Sequence, residues 1–367
     1  LKPADNEPSS GDSHKKRKLA FFPDGQVVGS GDGEEESITL MDLCSQAKEL
    51  KWVAGSDWPE GIMFLCGERG VGKSTLFNAL TNAGAVVAAY PFTTIDPNQG
   101  VVAVPDARLT ALAEMVGPEK VTPATVEFVD IAGLVKNAHL GEGLGNQFLG
   151  HIRSVDAVVM VCRCFADEDV SHVEGSIDPL RDLEVLDLEL ILADLEVTER
   201  RLDKVRSAAK VQPQEYAAEI EALEALRSRL QGGERAAAWA ANGDARAALA
   251  REMSLLTAKA RVYVANVGED DLPDGGPLAE SVAGVAKDVG APFVVICAQL
   301  EADLGEWAPE EAAAYRAEVG LERSGLEALA WAGYDVLDLI TFFTITGGKV
   351  VRAWSIQRGT TASRAAC

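Results

Sequence analysis

Residues 67–75 read Gly-Glu-Arg-Gly-Val-Gly-Lys-Ser-Thr and fit the pattern G-x-x-x-x-G-K-[ST]. They follow the apolar run Ile62-Met63-Phe64-Leu65-Cys66, which reads as a buried strand, and lead into Thr75-Leu76-Phe77-Asn78-Ala79-Leu80, which reads as a helix start. A strand that turns through a glycine loop straight into a helix commits the chain to a helix-covered, mostly parallel sheet. The same loop is a cradle for a polyphosphate. Gly67 and Gly72 let the backbone approach phosphate oxygens with no Cβ in the way, and Gly70, Val71 and Thr75 complete the lining. Lys73 would place its charge on the β- and γ-phosphates, and the Ser74 hydroxyl would ligate Mg²⁺. The helix N-terminus adds a favourable dipole. The segment predicts nucleoside triphosphate binding.

Candidate strands recur at Ile62–Cys66, Val101–Val104, Thr125–Val129, Ala157–Cys164, Arg261–Ala265 and Pro292–Cys297, with helical stretches between them. This alternation predicts a doubly wound α/β sheet with its function at the carboxyl ends of the strands. Between the fourth and fifth strands, apolar residues keep helical spacing over 183–205 and again over 216–230, separated by Val211-Gln212-Pro213. Two antiparallel helices forming a coiled-coil-like hairpin are expected there. The tail carries two β-rich runs, 340–345 and 350–354, about the turn Thr346-Gly347-Gly348-Lys349, and looks like the start of a small β domain. Residues 1 to about 60 are polar and glycine-rich, which suits a loosely ordered extension with one short helix between Ile38 and Val53.

The net charge of −23 argues against a broad nucleic-acid surface. The basic clusters at 14–18 and at Arg200, Arg201, Lys204, Arg206 and Lys210 read as a tail and a solvated helix face. No apolar run reaches the roughly 18–20 residues that span a bilayer, so no membrane partner is expected. Six cysteines without CxxC spacing fit a reducing, cytoplasmic setting, although a chain beginning at Leu1 leaves organellar targeting open.

Three further segments bear on chemistry. Asp130, at the end of the strand 125–129, would hold Mg²⁺ through water, and the Gly133 N–H would sense a γ-phosphate. Either Thr93 or Thr94 could complete the metal shell; spacing does not separate them. Asn266-Val267-Gly268-Glu269 follows the fifth strand, where guanine switches carry Asn-Lys-x-Asp. Val267 in place of lysine and the longer Glu269 favour ATP over GTP, with Cys297-Ala298 placed beside the base. Leu134 stands where many GTPases place a water-orienting glutamine. His172, in an acidic loop, is a candidate substitute, with His139 and His151 as weaker rivals.

From about Ile62 onward the chain resembles the Obg-like ATPases of the YchF type, a branch of the translation-factor-related P-loop proteins. The resemblance rests on Gly72-Lys73-Ser74-Thr75-Leu76-Phe77-Asn78-Ala79-Leu80-Thr81, Tyr90-Pro91-Phe92-Thr93-Thr94-Ile95-Asp96-Pro97-Asn98 and Phe128-Val129-Asp130-Ile131-Ala132-Gly133-Leu134. It continues through Gly141-Glu142-Gly143-Leu144-Gly145-Asn146-Gln147-Phe148, His172-Val173-Glu174-Gly175 and Leu339-Ile340-Thr341-Phe342-Phe343-Thr344. It implies a G domain over 61–192 and 259–304, a helical coiled-coil insertion over 193–258, a connector over 305–334 and a partial β-grasp TGS segment over 335–367. It also implies Mg²⁺-dependent ATP hydrolysis at the β–γ bond, weaker GTP binding and association with the ribosome. The family's metal-binding threonine falls on Thr94 and its proposed hydrolytic histidine on His172. The chain departs from the family's usual Gly-Leu-Pro-Asn-Val-Gly-Lys at Glu68-Arg69-Gly70, and its first 60 residues match nothing there. A GTP-specific switch and a nucleotide-gated ribosome-binding module with negligible turnover stand as alternatives.

Overall fold

The computed structural model describes residues 18–21, 27–31, 34–37, 61–68, 70–88, 99–129, 155–166, 177–361 and 365. The strands are β1 (Lys18–Phe21), β2 (Val27–Gly31), β3 (Glu34–Ser37), β4 (Ile62–Cys66), β5 (Gln99–Ala103), β6 (Lys120–Thr122), β7 (Thr125–Val129), β8 (Ala157–Cys164), β9 (Ala260–Val267), β10 (Phe293–Ile296), β11 (Leu339–Thr346) and β12 (Val350–Gln357). The chain divides into two compact units. One is Pro59–Pro105 with Thr125–Leu339; the other is Leu1–Trp58 with Asp106–Ala124 and Ile340–Cys367.

The larger unit is built on a six-stranded sheet in the order β10-β9-β8-β4-β7-β5. Neighbours pair in parallel from β10 through β7, and β5 joins β7 antiparallel. The central strand β8, Ala-Val-Val-Met-Val-Cys-Arg-Cys, is buried at every position. An unbroken apolar run of this kind is what a strand covered on both faces by helices requires. At β7 the pattern instead alternates, with Val126 and Phe128 buried. The parallel order brings the carboxyl ends of β4, β8, β9 and β10 to one edge of the sheet, the edge at which the phosphate loop begins.

Helix Pro179–Ala209 starts at Asp178, whose side chain accepts from the Arg181 N–H, with proline at the first helical position. It runs unbroken across residue 192. Its first half supplies Leu183, Leu186, Leu190 and Ala193 to the core beneath the sheet. Its second half packs on helix Pro213–Gln231 through Leu202, Val205 and Leu223. Arg201 pairs with Glu219 and Arg206 with Glu224, each at 2.7 Å, so these members of the basic helix face are matched within the hairpin. A second small core, around Ile191, Leu226, Leu230 and Trp239, closes the base of the hairpin. There the buried carboxylate of Asp194 accepts from the Leu256 and Thr257 N–H groups and the Thr257 hydroxyl at 2.7–2.8 Å. A buried charge is stable only when hydrogen-bonded in this way.

The smaller unit revises two expectations. Within the extension expected to be loosely ordered, β1, β2 and β3 pair antiparallel in a three-stranded sheet. The Asp32-Gly33 dipeptide between β2 and β3 is a strong hairpin signal that the compositional argument overlooked. The short helix expected between Ile38 and Val53 lies outside the described residues. The tail strands β11 and β12 form, but not as a bare hairpin, because β6 adds a third strand parallel to β12. A lone hairpin is marginal in water, and a third strand with an apolar face relieves that. Phe342, Ile356 and Ala365 form its small core, and the Phe342 and Trp354 rings stack at 6.3 Å. Helix Ala107–Val116 packs on β12 and brings the Arg108 guanidinium over the Phe343 ring at 5.2 Å.

Candidate functional site

The glycine loop between β4 and helix Lys73–Ala88 is shaped by contacts that exclude other residues. A Cβ on Gly67 would lie 2.6 Å from the Val161 carbonyl oxygen, so β8 itself forces glycine there. Gly72 has φ +87°, and a Cβ on it would sit 2.1 Å from the Asn266 side-chain nitrogen. Both steric and conformational reasons therefore fix glycine at 72. The Leu76 N–H then bonds the Gly72 carbonyl at 2.9 Å and the helix proceeds. Ser74 lies exposed in its first turn, Thr75 is half-buried, and Val71 is buried.

Lys73 is only 8% exposed. Its ammonium donates to the Gly67 carbonyl at 2.7 Å and to the Glu68 carbonyl at 2.8 Å. Two of its N–H donors thus hold the charge against the loop that would surround a phosphate chain. Cys66, directly behind, contributes no negative charge: burial pushes its thiol up to about 12, outweighing the lowering effect of Lys73. Cys162 and Cys164 on β8 are likewise raised, first by burial, and Cys164 reaches about 12. These thiols act as small hydrophobes.

The base-side residues are arranged differently from the sequence expectation. Along β9, side chains alternate, and Tyr263, Ala265 and Val267 share the face that enters the core. Val267, expected beside the base, is 2% exposed and packs in that core. Asn266 points to the other face. Its side-chain N–H donates to the Val71 carbonyl and its oxygen accepts from the Ala298 N–H, both at 2.9 Å. Asn266 is therefore a buried brace joining the phosphate loop to the start of helix Ala298–Leu304, and the Ala298 N–H, expected to face the base, is engaged by it. Cys297 is buried with its thiol raised by desolvation.

Glu269 remains exposed, at the first position of the short turn Glu269–Asp271. Its carboxylate accepts a hydrogen bond from the Tyr315 hydroxyl. Tyr315 lies 46 positions away on helix Pro309–Glu318 and belongs to no motif, so no spacing argument could have found it. Thr93, Thr94, Asp130, Gly133, Leu134, His139, His151 and His172 lie outside the described residues, as does Arg69. Among the described residues, no group of three or more His, Cys, Asp or Glu side chains could hold a metal ion, and no helix is long and apolar enough to cross a membrane. Ser74 is the described residue whose hydroxyl and position fit a metal ligand beside the phosphate loop.

The family described as "50S ribosome-binding GTPase" matches residues 62–193. The chain is 46% identical to the Escherichia coli O157:H7 protein named ribosome-binding ATPase YchF, over 83% of this chain and 84% of that one. It is 45% identical to the protein of the same name from Bacillus subtilis, over 79% of each. A solved structure titled as the Schizosaccharomyces pombe YchF GTPase superposes with a TM-score of 0.72 at 33% identity, covering 86% of this chain and 85% of that one. Sheet order, phosphate loop and relatives agree: the chain belongs to the YchF family of Obg-like P-loop NTPases.

Proposed function

We propose that this protein binds ATP with Mg²⁺, hydrolyses the bond between the β- and γ-phosphates, and works as a nucleotide switch on the ribosome. The observation that carries the reading is the cradle itself. Lys73 is held against a glycine loop whose Val71 carbonyl is tied by Asn266, the first residue of the base-reading motif, to the Ala298 N–H after β10. This supports the reading, because one side chain links the phosphate loop to the segment proposed to face the base. Relatives named ribosome-binding ATPase supply the partner and the nucleotide.

In this reading Lys73 and the amides of Gly70, Val71, Gly72, Ser74 and Thr75 neutralise the phosphate oxygens. Ser74 and Thr94 would hold Mg²⁺, with Asp130 bonded to it through water. When bound, the metal would supply charge neutralisation to the phosphate chain. Water adds to the γ-phosphorus as the bond to the β-bridging oxygen breaks, and ADP leaves with that electron pair. The water's proton passes to phosphate. His172 orients the water where Leu134 offers no hydrogen bond, and the Gly133 N–H reports the γ-phosphate to its loop. Glu68 adds a carboxylate to this loop, and its backbone carbonyl accepts from the Lys73 ammonium.

Calorimetric titration with ATP, GTP, ADP and GDP in Mg²⁺ tests the binding claim. Single-turnover phosphate release with and without ribosomes tests the chemistry. Indifference to every purine triphosphate at millimolar concentration refutes the whole reading. Tight ATP binding with no phosphate release in either condition leaves the gated binding module that Leu134 suggests, and a strong GTP preference leaves a GTP switch.

A further inference from the structure

The residue left to read the base has a partner of its own. Glu269 stands three residues beyond Asn266, at the first position of the turn Glu269–Asp271, and its backbone carbonyl accepts from the Leu272 N–H at 3.1 Å. Its carboxylate accepts from the hydroxyl of Tyr315. The tyrosine is not a wandering surface side chain. Its ring packs, half-buried, against the core that includes Cys297, Leu300 and Ala312, and Trp307 meets its edge at 5.5 Å and 63°. Ring packing on one side and an aromatic edge on the other hold the hydroxyl over Glu269. The hydrogen bond to Glu269 raises the Tyr315 hydroxyl, so it keeps its proton and remains a donor through the physiological range.

A carboxylate selects guanine by accepting two neighbouring N–H donors, one on each oxygen, in a side-by-side fork. Adenine's corresponding edge carries a single amino donor beside an acceptor nitrogen. A carboxylate with one oxygen already bonded and its plane fixed by a phenol is poorly placed for the fork. Its second oxygen still accepts one N–H. We propose that Tyr315 is a specificity-determining residue: by holding one oxygen of Glu269 it leaves a single-point acceptor that suits adenine and disfavours guanine. The inference rests on the proposed function, in which Glu269 faces the base. It differs from a claim about Glu269 alone, because it places the discrimination in a helix outside the motif.

Tyr315→Phe removes only the hydroxyl and keeps the ring beside Trp307. The full chain and this variant are titrated by calorimetry with ATP, GTP, ADP and GDP in Mg²⁺. The expected result is a GTP-to-ATP ratio of dissociation constants that falls at least fivefold (roughly the worth of one such hydrogen bond), with the same fall for GDP against ADP. Trp307→Leu, which loosens the ring but spares the hydroxyl, serves as the structural comparison. Equal losses for both purines in both variants, with the ratio constant, overturn the inference and leave the proposed function standing. A wild-type chain that binds no purine triphosphate overturns both together, so the two failures are told apart.

Discussion

Asn266→Ala is the perturbation most tightly defined by the geometry. The side chain spans two backbone groups, the Val71 carbonyl and the Ala298 N–H, each at 2.9 Å, and both residues are buried. Truncation strands the two. The Ala298 N–H is one of the first-turn donors of its helix, which nothing inside the helix satisfies, so its loss resembles removal of a helix cap at about 0.5–2 kcal/mol. The Val71 carbonyl adds about 1–3 kcal/mol as an unsatisfied buried acceptor. The expected cost is about 1.5–5 kcal/mol, read as a lower urea midpoint at unchanged slope in nucleotide-free protein. Because Val71 belongs to the phosphate loop, ATP affinity should also fall at least about tenfold, equivalent to ~1.4 kcal/mol. Asn266→Asp sharpens the test. It keeps the acceptor for Ala298 but sets an oxygen against the Val71 carbonyl, so stability recovers in part while ATP affinity does not. Gly72→Ala supplies the coupling measurement. Its Cβ would strike the Asn266 side-chain nitrogen, so its cost should shrink in the Asn266→Ala background, leaving mainly the strain at φ +87°. A stability loss under ~0.5 kcal/mol, with ATP affinity intact and the two costs additive, would refute the brace.

Lys73→Ala should abolish triphosphate binding in the same calorimetric assay, and normal turnover in that variant removes the phosphate-loop assignment. His172→Ala should slow single-turnover hydrolysis at least about tenfold, within the range for a positioned proton-transfer or water-orienting group, with ATP affinity unchanged within twofold; an unaltered rate returns His172 to an ordinary loop residue. The buried thiols give a pH prediction. Cys66 and Cys164 are raised from 9.0 to about 12 and stay neutral in the fold, whereas the unfolded chain ionises near its ordinary value. Their contribution to stability is therefore complete below pH 9 and declines as pH rises from 9 toward 12. Urea midpoints at pH 8 and pH 10.5 should show that fall. Alkylation of native protein at pH 8, mapped by mass spectrometry, should leave Cys66, Cys162 and Cys164 unmodified; rapid labelling of any of them contradicts the burial.

The sheet was legible because its central strands are unbroken apolar runs and its connections carry helical spacing, two signals that fix element type without tertiary information, whereas the antiparallel β5 carries no such mark. Expected strand limits moved by one or two residues, as at β9, which extends to Val267. The helical hairpin was legible from its spacing, but its boundary was not. Helix Pro179–Ala209 feeds two cores in succession, and a periodic pattern carries no mark where its partner changes. The pairing of β6 with β12 joins residues more than 200 positions apart. Lys120-Val121-Thr122 is too short to announce a strand, and only the need of the tail hairpin for a third strand could have prompted the search.

The candidate site was legible in proportion to how local its chemistry is. The phosphate loop needs backbone shape at consecutive positions, so glycine spacing encodes it almost completely. The base side depends on which face each β9 residue takes and on what meets it there. The motif located Asn266, Val267 and Glu269 but did not give their directions: strand alternation sends Val267 inward and leaves Asn266 on the loop side. Asn266 then serves both the phosphate loop and the helix that follows β10. One side chain thus links the phosphate loop to the segment that follows β10, and under the proposed function a change at either end would reach the other through Asn266. That coupling needs no motion of the sheet, since the brace and the two segments it joins all sit at the strand ends. Glu269 takes its contact from a distant helix, through Tyr315, and that contact shares no atom with the brace. If the proposal holds, phosphate binding is constrained by close packing, while purine choice is set at the exposed Tyr315–Glu269 contact, which single substitutions can alter.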